Sequence, residues 1–377
     1  MRKVLFLPLF QMPSGHHQVA DAVMDAIMER FSHVICQKID CLSYWSKPLE
    51  QMISSIYMKW ISVFPKQFEK FYYGHVYKKN DHTMDDFVVK KWPIIEYHMK
   101  KLIDAEQPDV IVCTHSFPSC VLSGLKEKGI IDLPIINVYT DFLVSDVWGK
   151  NGIELHCVPD QDTKAFLQNV HGVKESSIYV TGIPVHKAFL KRRIDHLMPQ
   201  KHILIAGGNS GLGNVRKMLQ QLPQNCTYMY YVLCGKNKKL YQELIKLNHP
   251  RIKAVSYVKS REKMNDLYEG ADAIVTKAGG VTISEALHKR LPIFIHSSLP
   301  GQEQINIEYL KEKELLIPLN DAEAFEQQLK NILENDVKRN RLIKRMDEYV
   351  DSLEVKVDRV LADHFKLYRY ETSQNQF

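Results

Sequence analysis

The sequence predicts an α/β protein built from two doubly wound parallel sheets that face each other across a cleft. Short apolar runs with the length of buried strands alternate with amphipathic helical stretches along most of the 377 residues. This alternation is typical of βαβ units, whose strands are parallel. The chain is also too long for one ordinary hydrophobic core. Glycine-rich turns follow strands in both halves, and such sheets bind ligands at the carboxyl ends of their strands.

In the first domain, expected over residues 1–185, a helix from about Gln18 to Phe31 follows the first strand. The predicted strands are Val4–Leu9, Val34–Ile39, Val110–Thr114 and Ile135–Tyr139. The basic start of the chain imitates a weak signal peptide, but its apolar part is short and contains Pro8. We therefore interpret this segment as the first core strand.

A linker over residues 186–200 is predicted to lead into a second domain over residues 201–350. Its predicted strands are Ile203–Ala206, Met229–Cys234, Ile252–Val255, Ala273–Thr276 and Ile293–His296. The charged stretch Asp336–Tyr370 has helical periodicity. We expect residues 351–377 to form a C-terminal helix that packs back on the first domain.

Composition indicates a globular protein with no disulfide framework. The hydrophobic fraction is 45%, the charged fraction is 25%, and the net charge is +6. Seven cysteines form no CxxC pair, and the sixteen histidines form no HExxH pattern, so neither a zinc site nor any other metal is expected. No run approaches the roughly 18 apolar residues of a membrane span.

The segment from Lys277 to Leu287 carries the strongest chemical signal. A buried strand is followed by Gly279-Gly280 and then immediately by a helix. The glycines permit close backbone approach, and the free N–H groups of the helix start suit a phosphate. Glu285 lies one turn further on, where a carboxylate could reach a sugar hydroxyl. The alternative is that Thr282 and Glu285 form an ordinary capping box.

Two other strand ends carry polar residues. After the first strand, Gly15-His16 places a histidine where it could act as a general base, since its ordinary pKa of about 6.5 suits removal of an alcohol proton. The alternative is a histidine that only caps the turn; His17 is the weaker candidate. After Ile293–His296, the loop with Gln302, Glu303 and Asn306 could bracket sugar hydroxyls, or it could be a polar helix cap.

In this order, the three motifs resemble those of the monogalactosyldiacylglycerol synthase and processive diacylglycerol glucosyltransferase family, glycosyltransferase family 28. Further similar segments are Val138–Phe142, Trp148, Thr181–Pro184 and Cys234–Lys236, so the resemblance spans roughly residues 3–350. It implies the GT-B fold, in which two Rossmann-like domains face a central cleft. The first domain would bind acceptor and membrane, and the second a UDP-sugar.

The resemblance also implies roles for individual residues. His16 would be the catalytic base, Gly15 would let substrate approach it, and Asp141 would help shape or polarise the acceptor side. The residues implied to bind the donor are Asn209 and Ser210 at a first phosphate turn, Val258 at uracil, Lys277 beside the glycine pair, Gly279, Gly280 and Thr282 at the diphosphate, Glu285 at the ribose, and Gln302, Glu303 and Asn306 at the sugar. The chain departs from the family at Pro13, Ser145 and Ala278.

Residues 52–79 combine aromatic residues at helical spacing with lysines, a pattern typical of a segment that lies on a membrane surface. The residues predicted to share one face are Tyr57, Trp60, Phe64, Phe68 and Phe71, with cations that include Lys66 and Lys70. Periodicity alone slightly favours a core-facing helix pair, but the family resemblance reverses this order and favours a lipid-collecting surface. No nucleic-acid module accompanies this segment, so nucleic acid is not expected as a partner.

The sequence therefore predicts an inverting, metal-independent hexosyltransferase that needs no cofactor. Its donor would be UDP-glucose or UDP-galactose, and its acceptor diacylglycerol or a related lipid. It would work in the cytoplasm, attached to the anionic inner face of the cell membrane. Two alternatives remain open: a UDP-sugar epimerase or hydrolase of the same fold, and a non-catalytic UDP-sugar sensor at the membrane.

Overall fold

The computed structural model describes residues 2–10, 14–76, 93–191, 200–207, 218–219, 222–299 and 301–365. Within these ranges the chain forms two sheets of six parallel strands, which confirms the predicted fold class. We call the part that carries the first sheet the N-lobe and the part that carries the second sheet the C-lobe.

The N-lobe sheet has the strand order β2-β1-β3-β4-β5-β6. Its strands are β1 Arg2–Leu7, β2 Val34–Lys38, β3 Val110–Cys113, β4 Ile135–Val138, β5 Leu155–Val158 and β6 Ile178–Val180. The sequence analysis missed β5 and β6, because they are only four and three residues long and the buried His156 interrupts the apolar pattern of β5.

Seven α-helices among the described residues surround this sheet. They are α1 Gly15–Arg30, α2 Cys41–Trp45, α3 Lys47–Val63, α4 Pro65–Phe71, α5 Pro93–Glu106, α6 Ser116–Glu127 and α7 Gln161–His171. The helix expected from about Gln18 begins at Gly15, so His16 lies inside its first turn.

The C-lobe sheet has the order β12-β11-β10-β7-β8-β9. Its strands are β7 His202–Ala206, β8 Met229–Leu233, β9 Ile252–Val255, β10 Ala273–Lys277, β11 Ile293–Ser297 and β12 Ile317–Pro318. Five of them match predicted strands, whereas β12 has only two residues and no recognisable pattern.

The described helices of the C-lobe and of the C-terminal segment are α8 Lys238–Leu247, α9 Arg261–Glu269, α10 Gly280–Lys289, α11 Gln302–Glu312, α12 Phe325–Leu333, α13 Asp336–Asp351 and α14 Val357–His364. The described part of the stretch with helical periodicity, Asp336–Tyr370, thus forms two helices with a break after Asp351. Between α13 and α14, the backbone N–H of Glu354 donates to the carbonyl of Val180 in β6, so this segment is tied to the N-lobe. Helix α14 packs on α1, where Arg30 pairs with Asp358 at 3.2 Å.

One buried apolar cluster extends across both lobes. It includes Phe142 and Ile183 of the N-lobe together with Val281 and Ile283 of the C-lobe, all at most 5% exposed. Burial of shared apolar surface favours contact between the lobes along the cleft. This contact brings the carboxyl ends of the two sheets together. Within the described residues, no helix combines the length and apolar character needed to cross a bilayer.

Candidate active site

His16 lies at the start of α1 and faces the ends of β3 and β4. Its Nδ1 is 2.9 Å from the carbonyl oxygen of Thr114 and 3.0 Å from the hydroxyl oxygen of Thr140. A carbonyl only accepts hydrogen bonds, so the proton of the neutral ring belongs on Nδ1. This tautomer leaves the lone pair on Nε2, which is the arrangement that a general base requires.

Burial keeps His16 neutral. It lowers the pKa of His16 from 6.5 to about 4; the hydrogen bond to Thr114 opposes this shift, and the charge of His17 adds to it. The ring of His115 contacts His16 edge-on, with 4.6 Å between ring centroids. The expectation of an ordinary pKa near 6.5 is therefore wrong, because His16 lies partly buried between the lobes and not on an open loop.

Asp141 connects the N-lobe to the C-lobe. Its carboxylate accepts hydrogen bonds from Thr140 Oγ1 at 3.2 Å, from Asn306 Nδ2 at 3.1 Å and from Gln302 Nε2. Burial raises the pKa of Asp141, while these three donors act in the opposite direction. The structure thus brings together one residue expected on the acceptor side and two expected at the donor sugar.

The two glycines after β10 have different surroundings. A Cβ at Gly279 would have no heavy atom within 4 Å, so this position is open to the cleft. A Cβ at Gly280 would lie 2.1 Å from the carbonyl oxygen of Thr140, so a side chain there is excluded by the other lobe. A Cβ at Gly15 would lie 3.3 Å from Val281, which places the start of α1 against the start of α10.

Helix α10 begins at Gly280 and has Gly279 as its N-cap, with no side-chain cap. The capping box between Thr282 and Glu285 is therefore wrong, since Thr282 already lies within the first turn. The first N–H groups of α10 are left for other acceptors. A helix start of this kind, next to an open glycine, suits an anionic ligand.

Glu285 faces the C-lobe interior and is 6% exposed. Its Oε2 accepts a hydrogen bond from the hydroxyl of Tyr268 at 2.9 Å. Burial raises its pKa to about 7, with Tyr268 and then Arg261 opposing the shift. The structure assigns Glu285 a protein partner, and its implied contact with ribose stays a prediction.

Lys277 and Glu303 meet at the mouth of the cleft. Lys277 Nζ lies 3.4 Å from Glu303 Oε1, and the other carboxylate oxygen of Glu303 accepts from the N–H of Leu299 at 2.6 Å. Gln302 and Glu303 lie in the first turn of α11 and not in a loop, as the alternative of a helix start predicted, but the N-cap Gly301 has no side-chain cap. The side chains of Lys277 and Glu303 are 16% and 14% exposed, so both remain accessible from the cleft.

Asn306 is completely buried, with 0% exposure. Its Nδ2 donates to Asp141 and to the carbonyl of Ala278 at 3.1 Å, and its Oδ1 accepts from the N–H of Phe142 at 3.1 Å. Each of its polar atoms is thus engaged by protein, so in this arrangement Asn306 does not face a sugar.

The remaining donor predictions concern loops. Asn209 and Ser210 lie outside the described residues. Val258 lies in the loop between β9 and α9, and it is partly exposed. Its implied contact with uracil stays a prediction. Among the described residues, no group of three or more metal-binding side chains is present.

The predicted aromatic face is only partly correct. Helix α3 ends at Val63 and α4 starts at Pro65, so the five aromatic residues do not lie on one helix. Phe68 is 5% exposed and packs with Ile61, Tyr72 and Ile305 in a small core between the lobes. Phe68 is therefore wrong as a membrane contact, and Trp60 is half-buried against it with 5.3 Å between ring centroids.

The surface of α3 and α4 nevertheless exposes many apolar side chains. Tyr57, Phe64 and Phe71 are 39%, 52% and 39% exposed, and Lys66 and Lys70 are exposed beside them. The sequence analysis missed three further aliphatic residues, which are Met52, Ile56 and Val63, at 53%, 57% and 62% exposure. Met52, Ile56 and Val63 are spaced by four and seven residues, so helical periodicity along α3 is the sequence signal that predicts their shared exposure. We call this set of eight residues the apolar face.

Thr140 also lies at the site, and the sequence analysis did not assign it a role. Its hydroxyl links His16 to Asp141, and its carbonyl contacts the C-lobe at Gly280. It stands beside Asp141 in the Val138–Phe142 segment, but a threonine next to an acidic residue has no distinctive sequence signal.

Two family models and several bacterial glycosyltransferases are similar to this chain. The family model for monogalactosyldiacylglycerol (MGDG) synthase matches residues 16–185, and the model for glycosyl transferases group 1 matches residues 208–349. The uncharacterized glycosyltransferase YkoN of Bacillus subtilis is 36% identical over 370 residues, which cover 97% of each chain. A processive diacylglycerol beta-glucosyltransferase of Bacillus cereus is 28% identical over 342 residues, covering 86% of this chain and 84% of the relative.

Solved structures with the same fold include glycosyltransferases and UDP-N-acetylglucosamine 2-epimerases, all of low sequence identity. SnogD from Streptomyces nogalater has a TM-score of 0.60 at 12% identity, with 97% of this chain and 99% of that chain covered. MurG from Acinetobacter baumannii has a TM-score of 0.55 at 12% identity, with 98% and 100% covered. At this identity the likeness concerns the fold alone, which is GT-B.

Proposed function

Because the chain belongs to the glycosyltransferase family of the monogalactosyldiacylglycerol synthases and the processive diacylglycerol glucosyltransferases, we propose that it transfers a hexose from a UDP-sugar to diacylglycerol or a related lipid. The donor is UDP-glucose or UDP-galactose, and the transfer inverts the anomeric centre. The protein works at the cytoplasmic face of the membrane without a resident metal ion.

The observation that carries this proposal is the position of His16 opposite the start of α10. The Nδ1 proton of His16 is held by Thr114, and a Cβ at the neighbouring Gly15 would lie only 3.3 Å from Val281 in the first turn of α10. A base with a free Nε2 thus lies beside a helix start that suits a diphosphate. An acceptor hydroxyl and a donor diphosphate could meet at this junction of the two lobes.

The proposed reaction is a single displacement. Nε2 of His16 takes the proton of the acceptor hydroxyl while its oxygen forms a bond to the anomeric carbon. The bond between that carbon and the diphosphate oxygen breaks, and its electron pair leaves with UDP. The N–H groups at the start of α10 stabilise the negative charge that develops on the diphosphate.

The apolar face supports a lipid acceptor. Exposed aliphatic residues such as Ile56 and Val63 are combined with the exposed lysines Lys66 and Lys70. Burial of apolar side chains in the headgroup region and attraction to anionic lipids act together in segments of this kind. The same face adjoins the cleft, because Phe68 of α4 packs with Ile305 of α11.

Radiolabelled UDP-glucose and UDP-galactose, each offered with and without diacylglycerol vesicles, test the proposal. Label that becomes lipid-soluble only with diacylglycerol is the expected result. Free sugar or an epimerised nucleotide would instead indicate a hydrolase or epimerase, and donor binding without turnover would indicate a sensor. The substitution His16→Ala should abolish transfer while UDP binding persists, because His16 acts on the acceptor proton.

A further inference from the structure

Two histidines, His16 and His115, lie side by side at the carboxyl edge of the N-lobe sheet. We propose that His115 is a second catalytic residue, whose Nε2–H donates a hydrogen bond to the oxygen of the acceptor hydroxyl. This bond directs the hydroxyl proton towards Nε2 of His16. The inference rests on the proposed function, because it names the group that holds the acceptor of that reaction. The sequence analysis assigned His115 no role.

The position of the two histidines in the sheet is the first reason. His16 follows β1 and His115 follows β3, and these strands are neighbours in the order β2-β1-β3-β4-β5-β6. The chain proceeds from β1 to β2 on one side and from β3 to β4 on the other, so the strand order reverses between β1 and β3. Open α/β sheets bind ligands in the crevice at such a reversal, outside the carboxyl ends of the strands. The two histidines therefore flank the place where the N-lobe is expected to receive its substrate.

The hydrogen bonds of the two rings favour opposite tautomers. His115 caps α6: its Nδ1 accepts from the backbone N–H of Phe117 at 3.0 Å, so the proton of the neutral ring belongs on Nε2. In His16 the proton belongs on Nδ1, because this atom lies 2.9 Å from the carbonyl oxygen of Thr114. Burial lowers the pKa of His115 well below 6.5, and the charge of His16 adds to this shift. The neutral pair thus offers one donor, Nε2–H of His115, and one acceptor, Nε2 of His16.

The two rings are close enough for one hydroxyl group to reach both. Their centroids are 4.6 Å apart, and their planes meet at 70°. Both side chains are partly exposed, and no described residue forms a hydrogen bond with Nε2 of either ring. A hydroxyl oxygen about 2.9 Å from each of these nitrogens fits rings at this separation.

This arrangement engages the proton and both lone pairs of the acceptor oxygen. The proton passes to Nε2 of His16, one lone pair accepts from Nε2–H of His115, and the other forms the bond to the anomeric carbon. The bond between that carbon and the diphosphate oxygen breaks, and its electron pair leaves with UDP. His115 keeps its own proton throughout, so it contributes by orienting the oxygen for attack.

The test replaces His115 by asparagine in the full chain. Asparagine is among the preferred N-cap residues, so His115→Asn retains an acceptor for the N–H of Phe117 but removes Nε2–H. The matched control is His186→Asn in the linker between the lobes. His186 also accepts a backbone N–H, that of Ala188 at 3.3 Å, at the start of the short helix Lys187–Phe189. If His115→Asn does not fold, His115→Ser, another preferred N-cap, carries the same test.

The first readout is acceptor binding, measured by calorimetry with UDP present and no donor sugar. The probes are dioctanoylglycerol and its deoxy analogue, the dioctanoate of propanediol, both in detergent micelles. The hydroxyl should strengthen binding by about tenfold in the unaltered protein and in His186→Asn, but by less than about threefold in His115→Asn. Affinity for the deoxy analogue should be the same in all three proteins, which a general disturbance of the site would not produce. An undiminished advantage of the hydroxyl in His115→Asn would overturn the proposal.

The second readout is the transfer rate. His115→Asn should lower kcat/KM for the acceptor by about tenfold or more with an unchanged KM for the donor, whereas His186→Asn should retain the full rate. An unaltered rate in His115→Asn, or a rise in donor KM alone, would overturn the proposal.

The binding readout needs no turnover, so the two proposals fail in different ways. If the unaltered protein transfers no sugar to lipid, the proposed function fails. The preference for the hydroxyl, and its loss in His115→Asn, still decide whether His115 holds an acceptor alcohol.

Discussion

At the residue scale, the environment of His16 determines its chemistry more than its residue type does. Burial lowers its pKa to about 4, so the ring is neutral at every pH at which the protein is expected to work. A base with a lower pKa accepts a proton less readily, but nearly all His16 rings are unprotonated and can therefore act as the base. The hydrogen bond to Thr114 contributes by holding the ring in the useful tautomer.

The pH dependence of transfer follows from this shift. A base remains active until the pH falls to its own pKa, so kcat/KM should change less than about twofold between pH 7 and pH 5.5. A base with the ordinary pKa of about 6.5 would lose about tenfold over the same interval. Initial rates with a detergent-solubilised acceptor measure the difference. An acidic limb centred near pH 6.5 would contradict the assigned environment of His16.

Glu285 provides a prediction that links stability to pH. Its pKa is raised from 4.5 to about 7 in the folded protein, so the native state binds more protons than the unfolded chain between these values. The free energy of unfolding should therefore fall as the pH rises through this window. Glu285→Gln should remove this dependence and stabilise the protein at pH 8 by on the order of 2 kcal/mol, measured by denaturant unfolding.

The same substitution tests the implied role of Glu285 at the ribose. Loss of a carboxylate that accepts from a hydroxyl should weaken UDP binding by about tenfold in calorimetry. Glu312→Gln, an exposed position on α11, is the control. A stabilised protein with unchanged UDP affinity would leave Glu285 as a structural residue only.

At the scale of elements, α3 and α4 show how helical periodicity can mislead. Aromatic residues at steps of three and four predict one continuous face, yet the break between Val63 and Pro65 turns Phe68 towards Ile305. Helix α4 thus contributes one side to the core between the lobes and exposes Phe71 and Lys70 on another. The exposed part of this surface is more aliphatic than the sequence suggested.

The apolar face predicts how the protein attaches to membranes. The double substitution Ile56→Glu and Val63→Glu should lower binding to phosphatidylglycerol vesicles by about tenfold or more, because two exposed apolar side chains are lost and negative charge is added. Co-sedimentation measures the bound fraction. Val337→Glu, at a residue that is 80% exposed on α13, is the matched control. Equal loss in the control would indicate a general charge effect.

At the scale of the whole molecule, the two lobes meet through a shared core and through polar contacts at the cleft. Phe142 and Val281 belong to one buried cluster, and Tyr309 of α11 donates to Asp160 at 2.9 Å on the opposite lobe. At Gly280 the junction leaves no room for a side chain, because an added Cβ would lie 2.1 Å from the carbonyl oxygen of Thr140.

The neighbouring glycines allow a matched comparison of this junction. Gly280→Ala should push the lobes apart or strain the start of α10, which destabilises the protein by about 1–3 kcal/mol and reduces transfer. Gly279→Ala should leave the unfolding temperature unchanged, because its Cβ would meet nothing within 4 Å, but should weaken UDP binding by filling the open turn. Thermal unfolding of both variants measures the loss of stability, and small-angle scattering measures whether the lobes have moved apart. Equal unfolding temperatures would contradict the assigned contact.

Much of the fold followed from local pattern. The strands that hold Gly15-His16, Gly279-Gly280 and Gln302-Glu303 at their ends were predicted because buried parallel strands are continuous apolar runs and their helices repeat every 3.6 residues. Strands β6 and β12 escaped prediction because three and two residues carry too little pattern, and β5 escaped it because His156 interrupts its four residues.

The sequence by itself determined the fold class, the family and the order in which reactive residues follow strands, since these depend on neighbours along the chain. The tertiary structure alone decided that Asn306 binds Asp141 across 165 positions of sequence, that His16 is partly buried beside Thr114 and that Phe68 is buried. Partners, burial and therefore pKa are properties of residues brought together by packing. No local pattern encodes them, because the atoms that set them come from the other lobe or from distant strands.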